Sequence, residues 1–474
     1  MSDQNAPIIV WFRQDLRLSD NPALKEATEK GTILPLYILD DENAGEWKIG
    51  GAGRVWLHHA LNALNDKLDG NLVLKCGKAD EVLPELIKET NAKAVYWNRC
   101  YEPWRVKRDK AIKETLDVEC KSFNASLLWE PWDISKNDGT PYRVFTPYYR
   151  KGCLKAKAPR KPYDAPHKMD LTTTEGLSLD DLGLLPKNLD WHIDLADQWD
   201  ISQDGAKQQL YKFLDNGLKN YKEGRNIPSG KNFSMLSPYL HWGLISPNRV
   251  WYLAEERGVA EGVEKDLDHF HSELGWREFS YSLLYYFPDL PSENLQSKFD
   301  NFPWEENADY LKAWQNGQTG YPIVDAAMRE LYATGFMHNR TRMVVGSFLV
   351  KHLLQHWRHG EDWFWDCLVD ADLASNSASW QWVAGTGADA APYFRVFNPI
   401  LQGKRFDENG DYVRKWIPEL AKLPNEFIHE PWEAGPLILQ GADIELGVTY
   451  PKPIVDHSQA RDYALASYDH IKGT

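Results

Sequence analysis

The stretch ATGFMHNRTRMVVGSFLVKHLLQHWRHGEDWFWDCLVDADLASNSASWQW, residues 333–382, decides the fold of the C-terminal half of the chain. Its apolar residues recur with helical spacing, and no part alternates with the period of a strand. We predict helices over 338–358 and 361–369, followed by a short segment rich in small residues. Amides, arginines and indoles rarely share apolar helices unless the helices line a cavity. We therefore expect this stretch to form the wall of a ligand-binding cavity.

The helical pattern extends on both sides of this stretch, from about residue 201 to the end. Apolar residues from Ala206 to Tyr221 fall on one helical face, and further helices are predicted near 264–287 and 323–335. Ser237-Pro238 and Ser246-Pro247 each resemble a serine N-cap followed by a proline in the first helical turn. We predict an all-α domain over residues 201–474.

The N-terminal part has a different pattern. Short β-rich runs at 8–12, 33–39, 71–76, 93–98 and 118–129 alternate with helical patterns at 53–69, 79–90 and 103–117. Such alternation indicates right-handed βαβ crossovers. We predict an α/β domain over 1–132, with a five-stranded, Rossmann-like parallel sheet. Residues 133–200 carry many prolines and glycines and are predicted to connect the two domains.

The composition excludes several classes of protein. Hydrophobic residues make up 43% and charged residues 26%, the apolar runs are too short for a membrane span, and MSDQNAP lacks the basic start of a signal peptide. Five scattered cysteines without a CxxC pair favour reduced thiols, so we expect a cytoplasmic protein without disulfides or a zinc site. The net charge of −15 argues against uniform nucleic-acid coating and requires any DNA contact to use a local basic surface.

Two predicted helices carry polar groups on one face. On the first, Glu273, Trp276 and Arg277 stand at i, i+3 and i+4, which is typical of an exposed ion pair or, with the indole included, of a binding site. On the second, Asn339, Arg342 and Met343 share a face. Taken singly, methionine and tryptophan are more often core residues than ligand contacts.

The small-residue segment presents a further set. Asp370 and Asp372 precede Asn376, and Trp380 lies one helical turn later, while Trp382 faces elsewhere. Two aspartates without a third ligand do not suit a metal. Upstream, Tyr221 and Arg225 precede a run of hydroxyls and amides at a helix start, a pattern that suits a phosphate group.

Three stretches together resemble the photolyase/cryptochrome family. They are WFRQDLRLSDNPAL (11–24), YPIVDAAMRELYATGFMHNRTRM (321–343), and DLASNSASWQW with DAAPYFRVFNP (372–399). The resemblance covers nearly the whole chain and is strongest to the class I cyclobutane pyrimidine dimer photolyases.

The resemblance implies that the helical domain binds FAD. Arg342 and Asp370 would pair beside the flavin, and Asn376 would stand at its N5 position, where an amide favours the fully reduced form. Phe233 stands where the family usually has a threonine. The implied FAD contacts are Tyr221, Ser234, Met235, Leu236, Ser237, Phe270, Arg342, Asp370, Ala371, Asp372 and Asn376.

The resemblance also implies an electron-transfer chain and a DNA face. Trp380 would lie next to the flavin, Trp357 would be intermediate and Trp304 would lie at the surface. Glu273 and Asn339 would act on the flipped lesion as catalytic groups together with these tryptophans, and the (6-4) photolyases carry histidines at positions 339 and 343. The implied DNA contacts are Arg225, Glu273, Trp276, Arg277, Asn339, Met343 and Trp382.

The function that follows is light-driven repair of cyclobutane pyrimidine dimers in UV-damaged DNA by a monomeric FAD enzyme. The alternatives are a cryptochrome-like blue-light receptor without repair activity, and a module that only recognises lesions. An antenna chromophore is expected in the α/β domain, methenyltetrahydrofolate in preference to a deazaflavin. Asn98 matches one folate contact, whereas Arg99 departs from the folate pattern, which often has glutamate there.

Overall fold

The computed structural model describes residues 6–390, 392, 393 and 395–471, so Ala391 and Phe394 of the family motif lie outside the described residues. The chain divides into two compact units, each built from separate stretches. Unit 1 comprises residues 1–219, 234–288 and 369–374, and unit 2 comprises residues 220–233, 289–368 and 375–474. The predicted bounds 1–132, 133–200 and 201–474 follow the chain, whereas the units do not, and the predicted connector belongs to unit 1.

Unit 1 contains the predicted sheet. Within the described residues it has five parallel strands in the order β3-β2-β1-β4-β5, which confirms the α/β fold class. All residues of β1 and β2 are buried, as expected for strands covered on both faces. The strands are β1 Ile8–Phe12, β2 Ile33–Leu39, β3 Val73–Cys76, β4 Ala94–Asn98 and β5 Glu119–Phe123.

Helices make up most of the rest of the described chain. Unit 1 holds α1 Pro22–Thr28, α2 Asp41–Ala44, α3 Gly51–Lys67, α4 Ala79–Thr90, α5 Pro103–Thr115, α6 Phe145–Pro147, α7 Trp191–Asp197, α8 Gln203–Asn216, α10 Ser237–His241, α11 Pro247–Ala260 and α12 Glu264–Tyr286. Unit 2 holds α9 Tyr221–Gly224, α13 Ala308–Gln315, α14 Pro322–Thr334, α15 Asn339–Lys351, α16 Trp357–Cys367, α18 Pro399–Phe406, α19 Asp411–Trp416, α20 Pro436–Gly441 and α21 His457–Ile471. The last two residues before Ser375 belong to unit 1, although they begin α17, Leu373–Ala384.

The single helix predicted over 338–358 is wrong, because the structure ends α15 at Lys351 and begins α16 at Trp357. Leu354 has a φ of 46°, in the left-handed region that a helix cannot continue through. The side chain of His356 then accepts a hydrogen bond from the Arg358 N–H and caps α16. Trp357 therefore starts a new helix and does not lie at the end of α15.

The two predicted serine caps have different outcomes. Ser246 accepts a hydrogen bond from the Arg249 N–H at 3.0 Å and caps α11 as predicted. Ser237 is the first residue of α10 and Leu236 precedes it, with no side-chain cap, so that prediction is wrong. A serine before a proline can occupy either position, and the local sequence does not distinguish them.

The motif at 11–24 holds unit 1 together. Arg17 is buried and donates to the Gly243 carbonyl at 2.9 Å and to the Ala125 carbonyl at 2.7 Å. The loop after β1 is thereby attached to the segment after β5 and to the turn after α10. Gly243 has a φ of 68°, and a β-carbon there would collide with the Gln14 backbone, so the close approach requires glycine.

Membrane-spanning helices, metal-ligand groups and disulfides are considered for the residues that the structure covers. Within residues 6–390, 392, 393 and 395–471, no helix is long and apolar enough to cross a membrane. No group of three or more metal-ligating side chains occurs in the same ranges. The five cysteines, all in the described part of the chain, are free thiols.

Candidate functional site

Trp276, the residue of unit 1 that is predicted to stack on the lesion, packs against a second aromatic ring. Trp276 on α12 is half-buried and stacks on Phe145 with ring centroids 3.8 Å apart and an interplanar angle of 11°. Phe145 in turn stacks on Tyr149. Glu273, one turn earlier, is also half-buried. Phe145 lies in the predicted connector, where no sequence signal indicated a role, so the sequence missed it.

Arg277 is less exposed than Glu273 on the same helix, and its predicted contact with DNA stays a prediction. Its side chain is only 14% exposed and donates to the Ser126 carbonyl at 2.6 Å. Its guanidinium carbon also lies 4.9 Å from the centroid of the Tyr281 ring. The i+4 spacing placed Arg277 near Glu273, but on this helix that position is rotated towards the interior.

Glu278 on α12, which the sequence did not single out, binds the segment that immediately precedes the predicted connector. It is 2% exposed and accepts hydrogen bonds from the Leu128 N–H at 2.9 Å and the Trp129 N–H at 3.1 Å. Burial raises the pKa of Glu278 to about 7, although Arg277 and the two N–H donors act in the opposite direction. A carboxyl that is buried in the folded state and solvated in the unfolded state makes stability depend on pH.

We expect the Glu278→Gln variant to lose less stability than the wild type as the pH rises. A raised pKa in the folded state means that the stabilisation is present below pH 4.5 and is lost as the pH rises through 7. Between pH 5 and pH 8 the wild type should lose about 2 kcal/mol relative to the variant. Urea unfolding of both proteins at these two pH values measures the difference, and parallel pH profiles would contradict the assignment.

The predicted flavin-contacting carboxylate of unit 1 is deeply buried. Asp372 is 8% exposed, the Tyr281 hydroxyl donates to its Oδ2, and His241 Nδ1 lies 3.5 Å from the same oxygen. Burial would raise the pKa of Asp372, but His241, Arg277 and the Tyr281 hydrogen bond outweigh burial and hold it well below its usual range. The structure therefore keeps a permanent negative charge at this point.

Residues 234–237 form a tight turn before α10. Met235 has a φ of 53°, and the Ser234 carbonyl accepts a hydrogen bond from Gln209 Nε2 at 2.7 Å. The Leu236 N–H approaches Ser234 Oγ at 3.4 Å. Nearby in unit 1, Phe270 is buried and packs on Phe213. The turn presents hydroxyls and backbone amides of the kind that bind phosphate groups.

In unit 2 the predicted N5 residue is fixed in orientation. Asn376 is 7% exposed and its Nδ2 donates to the Glu361 carbonyl at 3.0 Å. The neighbouring Ser377 hydroxyl donates to the Glu361 carboxylate. The N-terminal part of α17 is thereby attached to α16. The side-chain amide of Asn376 is held by the backbone carbonyl of Glu361 on α16.

Two glycines of unit 2 enclose the innermost tryptophan. A β-carbon at Gly346 on α15 would lie 3.6 Å from the Trp380 ring, and one at Gly360 on α16 would lie far inside van der Waals contact with it. Trp380 also packs edge-on against Phe364, with centroids 5.0 Å apart. Gly360 was missed from the sequence, although a glycine inside an amphipathic helix is a signal of close packing.

The other two predicted tryptophans continue from this point within unit 2. Trp357 is fully buried, and its Nε1 donates to Asn294 Oδ1 at 3.0 Å. It lies one turn before Gly360 on α16. His356 stacks on Trp357 at 5.5 Å and contacts Trp304 at 5.1 Å, both between ring centroids. Trp304 is half-buried, whereas Trp357 and Trp380 are buried, and the electron-transfer order that the resemblance implies stays a prediction.

The predicted basic surface occurs at the start of α15. Asn339 is exposed and Met343 is half-buried on the same helix. Burial, followed by Arg225, Arg340 and Arg342, lowers the pKa of His338 to about 3. Burial together with Arg225 and Arg405 likewise lowers the pKa of Arg340. Arg340 and Arg405 both lie over the Phe406 ring, and Arg340 also hydrogen-bonds Asn226, next to Arg225 in the sequence, so the arginines are grouped here on an acidic protein.

The remaining predicted site residues are Tyr221, Arg342, Asp370, Ala371 and Trp382. Tyr221 is buried in unit 2 beneath the Arg225 guanidinium, and Arg342 Nε donates to the Met337 carbonyl at 2.7 Å. Asp370 and Ala371 belong to unit 1, so the pairing of Arg342 with Asp370 stays a prediction. Trp382 is half-buried on α17.

Asn98 has a structural role in unit 1, where both of its amide hydrogens are used by neighbouring side chains, and its predicted contact with a folate stays a prediction. Its Nδ2 donates to Asp15 and Asn21, and its Oδ1 accepts from the Ala23 N–H at 3.2 Å. A small, partly open cleft lies nearby, at the carboxyl ends of β1 and β2. Trp11, Arg13 and Trp104 are among the residues that line it.

Family models match two parts of the chain. The model described as DNA photolyase matches residues 8–167, and the model described as the FAD binding domain of DNA photolyase matches residues 270–470. A deoxyribodipyrimidine photo-lyase of Agrobacterium fabrum is 48% identical over the full length of both chains. The chain belongs to the photolyase/cryptochrome family. Cryptochrome-2 of Arabidopsis thaliana, another member, is 37% identical over 96% of this chain and 77% of its own length.

The comparison of structures corrects the subclass within the photolyase/cryptochrome family. The crystal structure of a bacterial class III photolyase from Agrobacterium tumefaciens has a TM-score of 0.95, with 48% identity over 100% of this chain and 99% of its own. The sequence was expected to resemble the class I photolyases most strongly. The structure with this full-length similarity is instead that of a class III photolyase.

The residues present fit the FAD that the family model implies. Asp372 is a buried, ionised acceptor suited to a flavin N–H, and Asn376 supplies a fixed amide. The turn at 234–237 offers hydroxyls and amides for the phosphates. The donor and acceptor types match an isoalloxazine ring and a diphosphate, so we conclude that the chain binds FAD.

Proposed function

We propose that the chain is a light-driven DNA photolyase that splits cyclobutane pyrimidine dimers flipped out of DNA. The observation that carries the proposal is the set Trp304, Trp357 and Trp380 in unit 2: Trp304 is half-buried, Trp357 and Trp380 are buried, and Trp380 lies one helical turn from the fixed amide of Asn376. The full-length similarity to a deoxyribodipyrimidine photo-lyase supports the same conclusion. A module that only recognised lesions would not need such a series.

The chain positions the cofactor and replenishes its electrons. Bound reduced FAD, on absorbing blue light, supplies the electron that opens the cyclobutane ring and recovers it afterwards. Asp372 and Asn376 fix the polar edge of the isoalloxazine. With FAD bound, Trp380, Trp357 and Trp304 would be the residues that pass an electron to the cofactor, and a reductant in solution would restore Trp304. The remaining FAD contacts are proposed at Tyr221, Ser234, Met235, Leu236, Ser237, Phe270, Arg342, Asp370 and Ala371.

The lesion has to leave the duplex to reach a buried flavin. Unpairing costs a few kcal/mol, and least at damaged bases. We propose that Trp276 and Trp382 stack on the flipped bases, while Glu273 and Asn339 hydrogen-bond the pyrimidine edges and stabilise the negative charge that develops there. Met343 would contact the same bases. Arg225, in the group of four arginines, would hold the nearby phosphate backbone.

The test is the loss of dimers under blue light. Purified protein carrying reduced FAD is incubated with DNA containing cyclobutane thymine dimers, in the light and in the dark, and dimers are counted by chromatography. We expect loss only in the light. A cryptochrome-like receptor would leave the dimers intact in both samples, and repair of (6-4) lesions alone would show that Asn339 and Met343 do not select the substrate.

We expect Trp276→Ala to weaken the binding of dimer-containing DNA about 10- to 100-fold, because stacking contributes roughly 1–3 kcal/mol per base. The turnover of bound DNA at saturating concentration should change little. Fluorescence anisotropy measures the dissociation constant. Trp132→Ala is the matched control, since Trp132 is 45% exposed but lies outside the proposed lesion contacts. Equal weakening in both variants would contradict the role of Trp276.

We also propose that an antenna chromophore binds unit 1, methenyltetrahydrofolate in preference to a deazaflavin. Because both amide hydrogens of Asn98 are already donated within unit 1, we place the chromophore at the cleft at the carboxyl ends of β1 and β2. The chromophore can be released by denaturation and identified by its absorption and mass. A monomer acting in the cytoplasm completes the proposal, and light scattering of the purified protein tests the first of these points.

A further inference from the structure

The part of the chain between residues 139 and 163 has an unusual charge. It contains seven arginines and lysines and no aspartate or glutamate, in a protein with a net charge of −15. A run of this kind is most often a solvated surface that keeps a protein soluble. Its attachment to the fold and its position argue for a specific role.

The run is fixed to unit 1 by its aromatic residues. Phe145, Tyr148 and Tyr149 are buried, and so is Cys153. A β-carbon at Gly275 on α12 would lie 2.5 Å from the Tyr149 ring, so glycine allows this ring to lie directly on the helix. The Lys157 carbonyl accepts a hydrogen bond from Trp129 Nε1 at 2.8 Å. The backbone is thus held while the charged side chains face outward.

The seven cations of the run differ in their surroundings, and two of them, Arg143 and Lys161, lie over the rings of Phe287 and Tyr252. Arg150 forms two hydrogen bonds of 2.6 Å with Asp268, and Arg160 pairs with Asp20 at 2.6 Å, so both serve the fold. Lys151, Lys155 and Lys157 are exposed. Among the residues that the structure describes, no carboxylate lies within 4.0 Å of these three ammonium groups. Three neighbouring positive charges therefore face solvent without compensation.

The position of these lysines follows from Phe145. This residue supports Trp276, the proposed stacking platform for the lesion, and the chain then continues through helical turns to Lys155. Residues 145–155 form three successive short helical pieces, so Lys151 and Lys155 lie within about 9 and about 15 Å of Phe145, the lengths that one straight α-helix would span. Duplex DNA advances 3.4 Å per base pair. The lysines are therefore within reach of phosphates up to roughly five base pairs from a base stacked on Trp276.

We propose that Lys151, Lys155 and Lys157 bind the phosphate backbone of duplex DNA that flanks the lesion. The inference rests on the proposed repair function and adds to it a second contact region, separate from the group of arginines in unit 2. This region offsets the repulsion between an acidic protein and DNA, and it makes affinity depend on the length of the duplex around the dimer.

The test compares a triple variant, Lys151→Ala/Lys155→Ala/Lys157→Ala, with the wild type. Anisotropy titrations between 50 and 200 mM NaCl use a 25-base-pair duplex with one central thymine dimer. Each phosphate contact contributes about 0.9 to the slope of log affinity against log salt, so the slope should fall by roughly 2 to 3. Binding of a single-stranded trinucleotide that holds the dimer, too short to reach the lysines, should change less than twofold.

The matched control is Lys88→Ala/Lys107→Ala/Lys110→Ala. These three exposed lysines lie on α4 and α5, and their removal changes the net charge by the same amount. An unchanged salt slope in the first variant, or an equal fall in the control, would overturn the proposal. Light-dependent repair of the trinucleotide by the wild type is measured in parallel. Its absence would remove the repair function itself, whereas repair with an unchanged slope would remove only the lysine contacts.

Discussion

Gly360→Ala is expected to slow the photoreduction of bound FAD at least tenfold. The added β-carbon would occupy the space of the Trp380 ring, which lies directly against α16. The ring therefore has to move, and the separation between Trp380 and its neighbours in the series changes. Overpacking of this kind also costs roughly 1–3 kcal/mol of stability. Absorbance of the oxidised flavin under blue light with an external reductant gives the rate.

Repair by enzyme that has been reduced chemically should persist in Gly360→Ala, because Trp380 serves to replenish the electron and does not contact the lesion. Gly441→Ala is the matched control, since a β-carbon at this exposed helical glycine meets nothing within 4 Å. A variant that photoreduces at the wild-type rate would show that Trp380 is not the donor next to the flavin.

Asp372→Asn is expected to lose most of its FAD on gel filtration and to unfold more easily. The substitution removes a buried negative charge that faces His241 and Arg277. Removing one partner of a buried charge pair costs about 3–5 kcal/mol. The flavin content per chain and the free energy of unfolding in urea measure the two effects, the second on protein freed of cofactor.

The pH dependence of Asp372→Asn separates charge from shape. The pKa of Asp372 is depressed in the folded state, so its contribution to stability is present above the unfolded value of 3.8 and is lost as the pH falls below it. The deficit of the variant should therefore be largest near pH 6 and shrink towards pH 3. Asp117→Asn, at an exposed site, should match the wild type throughout. A deficit independent of pH would indicate that packing is responsible.

Residues that share one element could be predicted from the sequence. The parallel sheet followed from alternating strands and helices, because burial on both faces leaves continuous apolar runs. Glu273 and Trp276 stand one turn apart on α12, as their spacing required. Asn376 and Trp380 likewise lie one turn apart on α17. In each case the period of the element determines which side chains are neighbours.

Features that depend on distant residues could not be predicted. Arg277 has helical spacing suited to the binding face, but the Ser126 carbonyl, 151 positions earlier, draws it inward. The break after α15 depends on the left-handed Leu354, a conformation that leucine alone does not favour. The support of Trp276 by Phe145 joins residues 131 positions apart, and no local pattern encodes it.

The division of the chain into two discontinuous units has a consequence for biosynthesis. The chain passes from one unit to the other five times, and unit 1 receives its last residues, 369–374, after about half of unit 2 has been made. Asp372, which accepts a hydrogen bond from Tyr281, is among these late residues. During translation, unit 1 therefore stays incomplete until more than three quarters of the protein has been synthesised. The proposed FAD contacts are complete only once Asn376 has been made, so the nascent chain can hold FAD fully only in the last quarter of synthesis.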